Sequence, residues 1–163
     1  MIQRIPTMTA TPSQDEIALE LDAHPEVLSL IRERFNTWCL MQGVDARLTD
    51  RICLAIDEAA ANVIRHAYAG RPGPLRLRGT SSKIGAQHRL ILTLEDDGKQ
   101  VPLNTIRPRD LKQIRPGGLG VHLIQEVMDE ACWTHREAGG TELKMTIDVS
   151  TAPVTQQKEI HNA

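Results

Sequence analysis

Three short stretches of this chain combine residue types that can do chemistry. The first is Asp57-Glu58-Ala59-Ala60-Ala61-Asn62. Glu58 and Asn62 are four apart, so on a helix they stack one turn above each other. A carboxylate can accept a proton from a hydroxyl or a water. An amide oxygen is a neutral ligand for a hard cation such as magnesium. Asn is a poor residue inside a helix, which asks for a reason beyond solvation; an ordinary polar helix face is the competing reading. Arg51 and Arg65 belong to the same side. The second stretch is Asp96-Asp97-Gly98 at the end of an alternating run. An acid at a strand end can accept from an amine while Gly turns the backbone sharply, although Asp-Gly is also a common plain turn. The third is Gly117-Gly118-Leu119-Gly120 before an apolar-periodic segment. Such a helix start offers unpaired N–H groups and the positive end of the dipole, a seat for phosphate; a flexible loop before a capped helix is the alternative. Arg107, Arg109, Lys112 and Arg115 just upstream can screen a polyphosphate or merely solvate a loop.

Composition limits what these stretches can serve. The chain has 163 residues, 40% hydrophobic, enough for one domain with its own core. Nineteen Lys and Arg stand against twenty-one Asp and Glu. Direct nucleic-acid binding is not expected without a basic excess, and four aromatic residues, Phe35, Trp38, Tyr68 and Trp133, cannot build a base-stacking surface. No apolar run approaches the length of a membrane span, and residues 1–16 lack a secretory h-region. Cys39, Cys53 and Cys132 are widely spaced among apolar neighbours and read as buried thiols of a cytoplasmic protein. Competing site patterns are missing: there is no Walker loop, no complete dinucleotide fingerprint, no zinc spacing and no nucleophile elbow. His66 lies near Asn62 but reads more simply as a structural histidine.

The elements that must position these residues follow from periodicity. Ile17, Leu19 and Leu21 alternate with acids in a strand over 15–22. A helix opens after His24-Pro25 and runs to Gln42, with Val27, Leu28, Ile31, Phe35, Trp38 and Cys39 inward and Gly43 as its stop. A second runs from Asp45 or Thr49, with Thr49 a suitable cap, to Tyr68; at about 100° per residue Ile52, Ile56, Ala59, Val63 and Ala67 form its core stripe. Strands over 75–80 and 88–95 flank a loop at 81–87. Residues 96–116 are a long irregular stretch, of the kind that is functional or mobile. A helix from Gly117 to Glu130 and strands over 131–136 and 141–148, joined by Gly139-Gly140, complete the order. Grouped helices and hairpins make an α+β two-layer sandwich: a mixed, mostly antiparallel sheet with helices on one face. The expected organisation is an N-terminal arm over 1–13, one domain over 14–149 and a polar tail over 150–163.

Taken together, EAAAN in a helix, DDG after a strand and GGLG opening a helix resemble, in order and spacing, the N, G1 and G2 boxes of the GHKL (Bergerat-fold) ATPases. DEAAANVIRHAY and RPGGLGVHLIQEVMDE followed by GGTELKM resemble the bacterial anti-sigma-factor serine/threonine kinases within them, and the likeness covers residues 15–148. It implies a Bergerat fold that binds ATP with Mg2+. Asn62 stands where the family holds the magnesium, Glu58 where these kinases place the general base, and Asp96 where the adenine amine is met. Gly98 lets the backbone approach the base. Gly117, Gly118, Leu119 and Gly120 match the phosphate-facing turn, Arg115 lies near a phosphate-contacting arginine of some relatives, and Thr141 sits beside the adenine pocket. The activity implied is transfer of the γ-phosphoryl group to a Ser or Thr of an anti-anti-sigma antagonist, with a sigma factor sequestered, often by a homodimer. The 107–115 loop would close as a lid. One departure follows Gly98: Lys99-Gln100-Val101-Pro102 replaces a further Gly or an aromatic-Asp-Pro segment. It motivates an alternative, a nucleotide-sensing interaction module without phosphotransfer. A lone histidine-kinase catalytic domain is a third reading, opposed by the absence of a dimerisation helix with a phosphorylatable histidine.

Overall fold

The computed structural model describes residues 13–100, 102–103 and 119–150. The arm and tail expected at the termini lie outside these residues except for Ser13 and Ser150, and so does most of the 96–116 stretch. The chain order is β1 (Glu16–Asp22), α1 (Val27–Met41), α2 (Ala46–Asn62), a π-helical turn (Val63–Ala67), β2 (Pro74–Ile84), β3 (Gln87–Asp96), α3 (Leu119–Val127), β4 (Glu130–His135) and β5 (Thr141–Asp148). The strands form one sheet in the order β1-β2-β3-β5-β4. All four pairings are antiparallel, so the mixed character allowed by the sequence reduces to its antiparallel part.

The sheet alternates as its sequence does. Leu75 and Leu77 of β2, Leu90, Leu92 and Leu94 of β3, and Leu143, Met145 and Ile147 of β5 are buried on one face. They share a single core with Ile31, Phe35 and Trp38 of α1, Ile52 and Ile56 of α2, and Ile124 of α3. The other face carries Arg76, Arg78, Thr93, Glu95, Glu142 and Lys144, the pattern of a sheet with helices on one side. Burial pushes the Cys39 thiol up to about 12 and the Cys53 thiol up to about 11, so neither is a nucleophile. Cys132, expected inside with them, is exposed on β4, where the alternation turns it away from the core.

Helix ends explain several shifted boundaries. Gly43, at φ 83°, ends α1 in a Schellman arrangement: Val44 N donates to Cys39 O at 3.1 Å and Gly43 N to Leu40 O at 3.0 Å. The cap of α2 is Asp45, whose carboxylate accepts from Leu48 N at 3.1 Å. Thr49, expected in that role, is instead fully buried one turn inside, and its hydroxyl has no hydrogen-bond partner among the described residues. The hairpin loop expected at 81–87 shrinks to Gly85-Ala86, because the strands keep pairing out to Ile84 and Gln87. Gly85 takes φ 60°, which a two-residue hairpin turn demands of its first position. The helix expected from Gly117 is seen from Leu119 to Val127, and β4 then begins at Glu130.

These two threonine and aspartate assignments separate in a urea melt. Asp45→Ala is expected to cost about 1 kcal/mol through the lost cap. Thr49→Val, which removes a buried unpaired hydroxyl at constant shape, is expected to be neutral or stabilising. A loss of stability in Thr49→Val equal to that of Asp45→Ala would return the cap to Thr49.

Candidate functional site

The last turn of α2 carries Glu58 and Asn62, stacked as their spacing requires. The first turn of α3 crosses directly over them. A Cβ built on Gly120 would lie 2.6 Å from Glu58 Oε2 and 3.3 Å from Asn62 Nδ2, so only a glycine admits this approach without displacing the pair. The helix start that follows the glycine-rich segment therefore meets the carboxylate and the amide. Arg65 joins them from the next turn: its Nη2 donates to Asn62 Oδ1 at 3.2 Å and lies 3.7 Å from Glu58 Oε2. Arg51, on the same side two turns before Glu58, is exposed, as is His66. Among the described residues no three His, Cys, Asp or Glu side chains converge on one point. A cation at Asn62 would take one amide oxygen from this helix and fill its shell with phosphate and water. That suits Mg2+, which keeps waters and binds through few protein ligands.

A second group forms at the end of β3. Asp96 is 2% exposed. Its carboxylate accepts from Gly98 N at 2.8 Å and lies near the backbone N–H of Thr141, the first residue of β5. Burial raises its pKa above the ordinary carboxylate value, against the lowering effect of these two N–H groups. Asp96 and Gly98 thus converge with Thr141, more than forty residues further along the chain. Glu58, Asn62 and Gly120 form the other cluster, and the two are joined by the π-helical turn. A Cβ on Gly98 would stand 2.6 Å from Ala67 O, and Lys99 N donates to that same carbonyl at 2.9 Å. Arg115, Gly117 and Gly118 lie outside the described residues, with the basic 107–115 loop. Leu119 opens α3.

Several residues around this second group carried no sequence signal. The Tyr68 hydroxyl accepts from Asp97 N at 2.8 Å and donates to Pro74 O at 2.6 Å, bracing the helix end against both strands. Arg76 forks onto Asp97 at 2.9 and 2.7 Å. Arg136, in the β4–β5 turn, donates to Asp96 O at 2.8 Å, pairs with the Asp97 carboxylate and lies 3.5 Å from Glu95. Gln100 Nε2 donates to the carbonyls of Arg136 and Gly140, both at 3.1 Å. The unusual segment after Gly98 is thereby tied to the sheet through Gln100. The alternation of β2 points Arg76 to the open face, yet nothing in a sequence says which acid waits there.

The two neighbouring aspartates respond oppositely to acid. The Arg76 hydrogen bonds, helped by Arg136, hold Asp97 at about 2 instead of 3.8. A depressed carboxylate adds stability above its unfolded value and loses it as the pH falls toward the folded one. Asp97→Asn is therefore expected to unfold with a shallower pH dependence than wild type between 3.8 and about 2. Acid titrations followed by circular dichroism check this, and superimposable slopes would contradict it.

Residues 21–147 match the histidine kinase-like ATPase domain family. The serine-protein kinase RsbW of Listeria monocytogenes serovar 1/2a is 30% identical over 125 residues, covering 71% of this chain and 77% of the relative. The serine-protein kinase RsbW of Bacillus subtilis is 28% identical over 126 residues, covering 71% and 76%. In the crystal structure of the RsbU and RsbW domains of a Mycobacterium tuberculosis protein, the same fold recurs with a TM-score of 0.62 at 22% identity. That match covers 87% of this chain and 34% of the longer one. With the family match spanning most of its length and RsbW kinases aligned over the same region, this chain belongs to the histidine kinase-like ATPases, in the RsbW branch of serine-protein kinases.

Proposed function

We propose that this anti-sigma-factor serine/threonine kinase binds Mg-ATP between α2 and the first turn of α3, and that Glu58 is its general base. The observation that carries the reading is the close approach of Gly120 to Glu58 and Asn62, which brings a carboxylate, a side-chain amide and a helix N-terminus together. Phosphoryl transfer needs little else: charge neutralisation, positioning and a group that orients the incoming hydroxyl. Magnesium would supply the charge that offsets the phosphates, and Asn62 Oδ1 would be its protein ligand. That oxygen accepts from Arg65 Nη2, so Arg65 would have to release it for a metal to be held there. Leu119 and Gly120, with Gly117 and Gly118 before them, present backbone N–H groups to the phosphates, and Arg115 adds a positive charge there. Asp96 accepts from the adenine amine, Gly98 lets the base approach the backbone, and Thr141 borders the pocket.

The acceptor in this reading is a Ser or Thr hydroxyl of an anti-anti-sigma antagonist, delivered to Glu58, which is half-buried and open to an incoming side chain. A sigma factor is the second partner, and the kinase works in the cytoplasm. Buried free thiols at Cys39 and Cys53 fit a reducing compartment. The kinase domain spans 14–149, with the flanking 1–13 and 150–163 as arm and tail.

Thermal melts test the nucleotide site first. Mg-ATP at about 100 times its dissociation constant adds about 2.7 kcal/mol, several degrees for a domain of this size. Asn62→Ala is expected to lose most of that shift. Glu58→Gln is expected to keep the shift and to lower phosphotransfer to the antagonist by about a hundredfold or more. Equal phosphotransfer by Glu58→Gln and wild type would remove Glu58 from the chemistry.

A further inference from the structure

We propose that Arg136 is a positioning residue for adenine recognition: it locks the Asp96 carboxylate in the orientation that favours a 6-amino purine, without itself touching the base. The inference rests on the reading of Asp96 as the adenine contact.

A carboxylate that reads one amine must be aimed, and Asp96 is the last residue of its strand, paired with Leu75 of β2 but one residue beyond the last pair with β5, Glu95–Glu142. The backbone of 96–98 is held by three other means. Asp97 N donates to Tyr68 Oη, Gly98 N donates to the Asp96 carboxylate itself, and Asp96 O accepts from Arg136. The first two bonds tie the turn to the helix and to itself. Arg136 alone of the three ties it to the β4–β5 turn, and that turn matters because the backbone N–H of Thr141, at its end, lies near enough to the Asp96 carboxylate to lower its pKa.

Arg136 is built firmly into that turn. Its N–H donates to Gly140 O at 3.1 Å, and its carbonyl accepts from Gly139 N at 3.0 Å and from Gln100 Nε2 at 3.1 Å. A Cβ on Gly140 would fall 1.9 Å from Asp96 O, so the two backbones are already in contact where the guanidinium bridges them. The same guanidinium pairs with Asp97 and approaches Glu95, so its charge is absorbed by these two acids. Asp97 is held from the far side by Arg76, which keeps the fork from pulling the turn off the strand. Nη1 meets both the Asp96 carbonyl and the Asp97 carboxylate while Nη2 turns to Glu95, and a lysine's single ammonium cannot serve both sides of that fork.

The test compares Mg-ATP with Mg-ITP, whose hypoxanthine carries a 6-oxo group in place of the amine. Dissociation constants are measured for wild type, Arg136→Lys, Arg136→Ala, Asp97→Asn and Asp96→Asn, each first checked by circular dichroism. Wild type is expected to prefer ATP. Arg136→Lys and Arg136→Ala are expected to weaken ATP by about tenfold, the scale of a lost charge-assisted hydrogen bond, with ITP changed by less than about twofold. Asp97→Asn is expected to fall in between. A residue with a merely structural role would weaken both nucleotides alike, and that outcome, or an ATP/ITP ratio unchanged in both Arg136 variants, overturns the inference while leaving Asp96 as the contact. If Asp96→Asn itself leaves the ratio unchanged, the adenine reading of Asp96 fails, and the role of Arg136 fails with it.

Discussion

The carbonyl of Ala67 is the point on which the site depends. It accepts from Lys99 N at 2.9 Å, and Gly98 passes so close to it that no side chain fits between them. One backbone contact therefore joins the helix bearing Glu58 and Asn62 to the strand end bearing Asp96. Those residues come from elements that are otherwise related through the core and the Tyr68 hydroxyl, and a core of Leu and Ile fixes the layers more firmly than it fixes the aim of a single carboxylate. A turn clamped to a helix end converts layer packing into site geometry.

The π-helical turn is how the helix reaches that contact. A regular α-helix through Val63–Ala67 would close each bond four residues back; here Tyr68 N bonds Val63 O at 3.2 Å, five back. Single π turns of this kind often sit at functional positions because they shift the register of everything after them. The shift begins immediately after Asn62, so the residues before it keep the regular spacing that stacks Glu58 on Asn62. The residues after it, Ala67 and Tyr68, are free of that spacing and turn toward the sheet. Tyr68 then uses both capacities of its hydroxyl, one toward Pro74 and one toward Asp97. Ala69 at φ 51° and Gly70 at φ 77° end the segment at once.

Much of this was legible beforehand, for physical reasons that differ by residue. Ile52, Ile56, Leu90, Leu92 and Leu94 announce their burial because periodicity is a local property of the chain. Glu58, Asn62 and Asp96 were readable as candidates through the combination, order and spacing of their motifs, since each alone also fits an ordinary polar helix face or a plain turn. Arg136 and Gln100 were not readable: each acts on a carbonyl brought near by strand pairing, and carbonyls leave no mark on a sequence. Thr49 misled for a related reason. Its hydroxyl looks like a cap in one dimension, yet the preceding Asp45 takes the orphan N–H and Thr49 is carried into the core with the stripe that begins there. The π turn was also invisible, since Val63-Ile64-Arg65-His66-Ala67 reads as unbroken helix.

The adjacent pair Asp96 and Asp97 divides two tasks that the proposed adenine contact at Asp96 requires. They point to opposite faces of the strand end. Asp96 faces inward, where burial raises its pKa and its partners are neutral N–H groups. Asp97 faces outward between two guanidinium groups, which depress its pKa to about 2. A guanidinium placed on Asp96 itself would satisfy the carboxylate and leave nothing for a ligand to claim. With Asp97 as the anchor, Arg76 and Arg136 can grip the turn without touching the acid that must stay available. The charge that holds the backbone and the charge that meets the ligand are separated by one residue and by the plane of the sheet. That separation lets a tightly held turn present a carboxylate whose hydrogen-bonding capacity is not already spent.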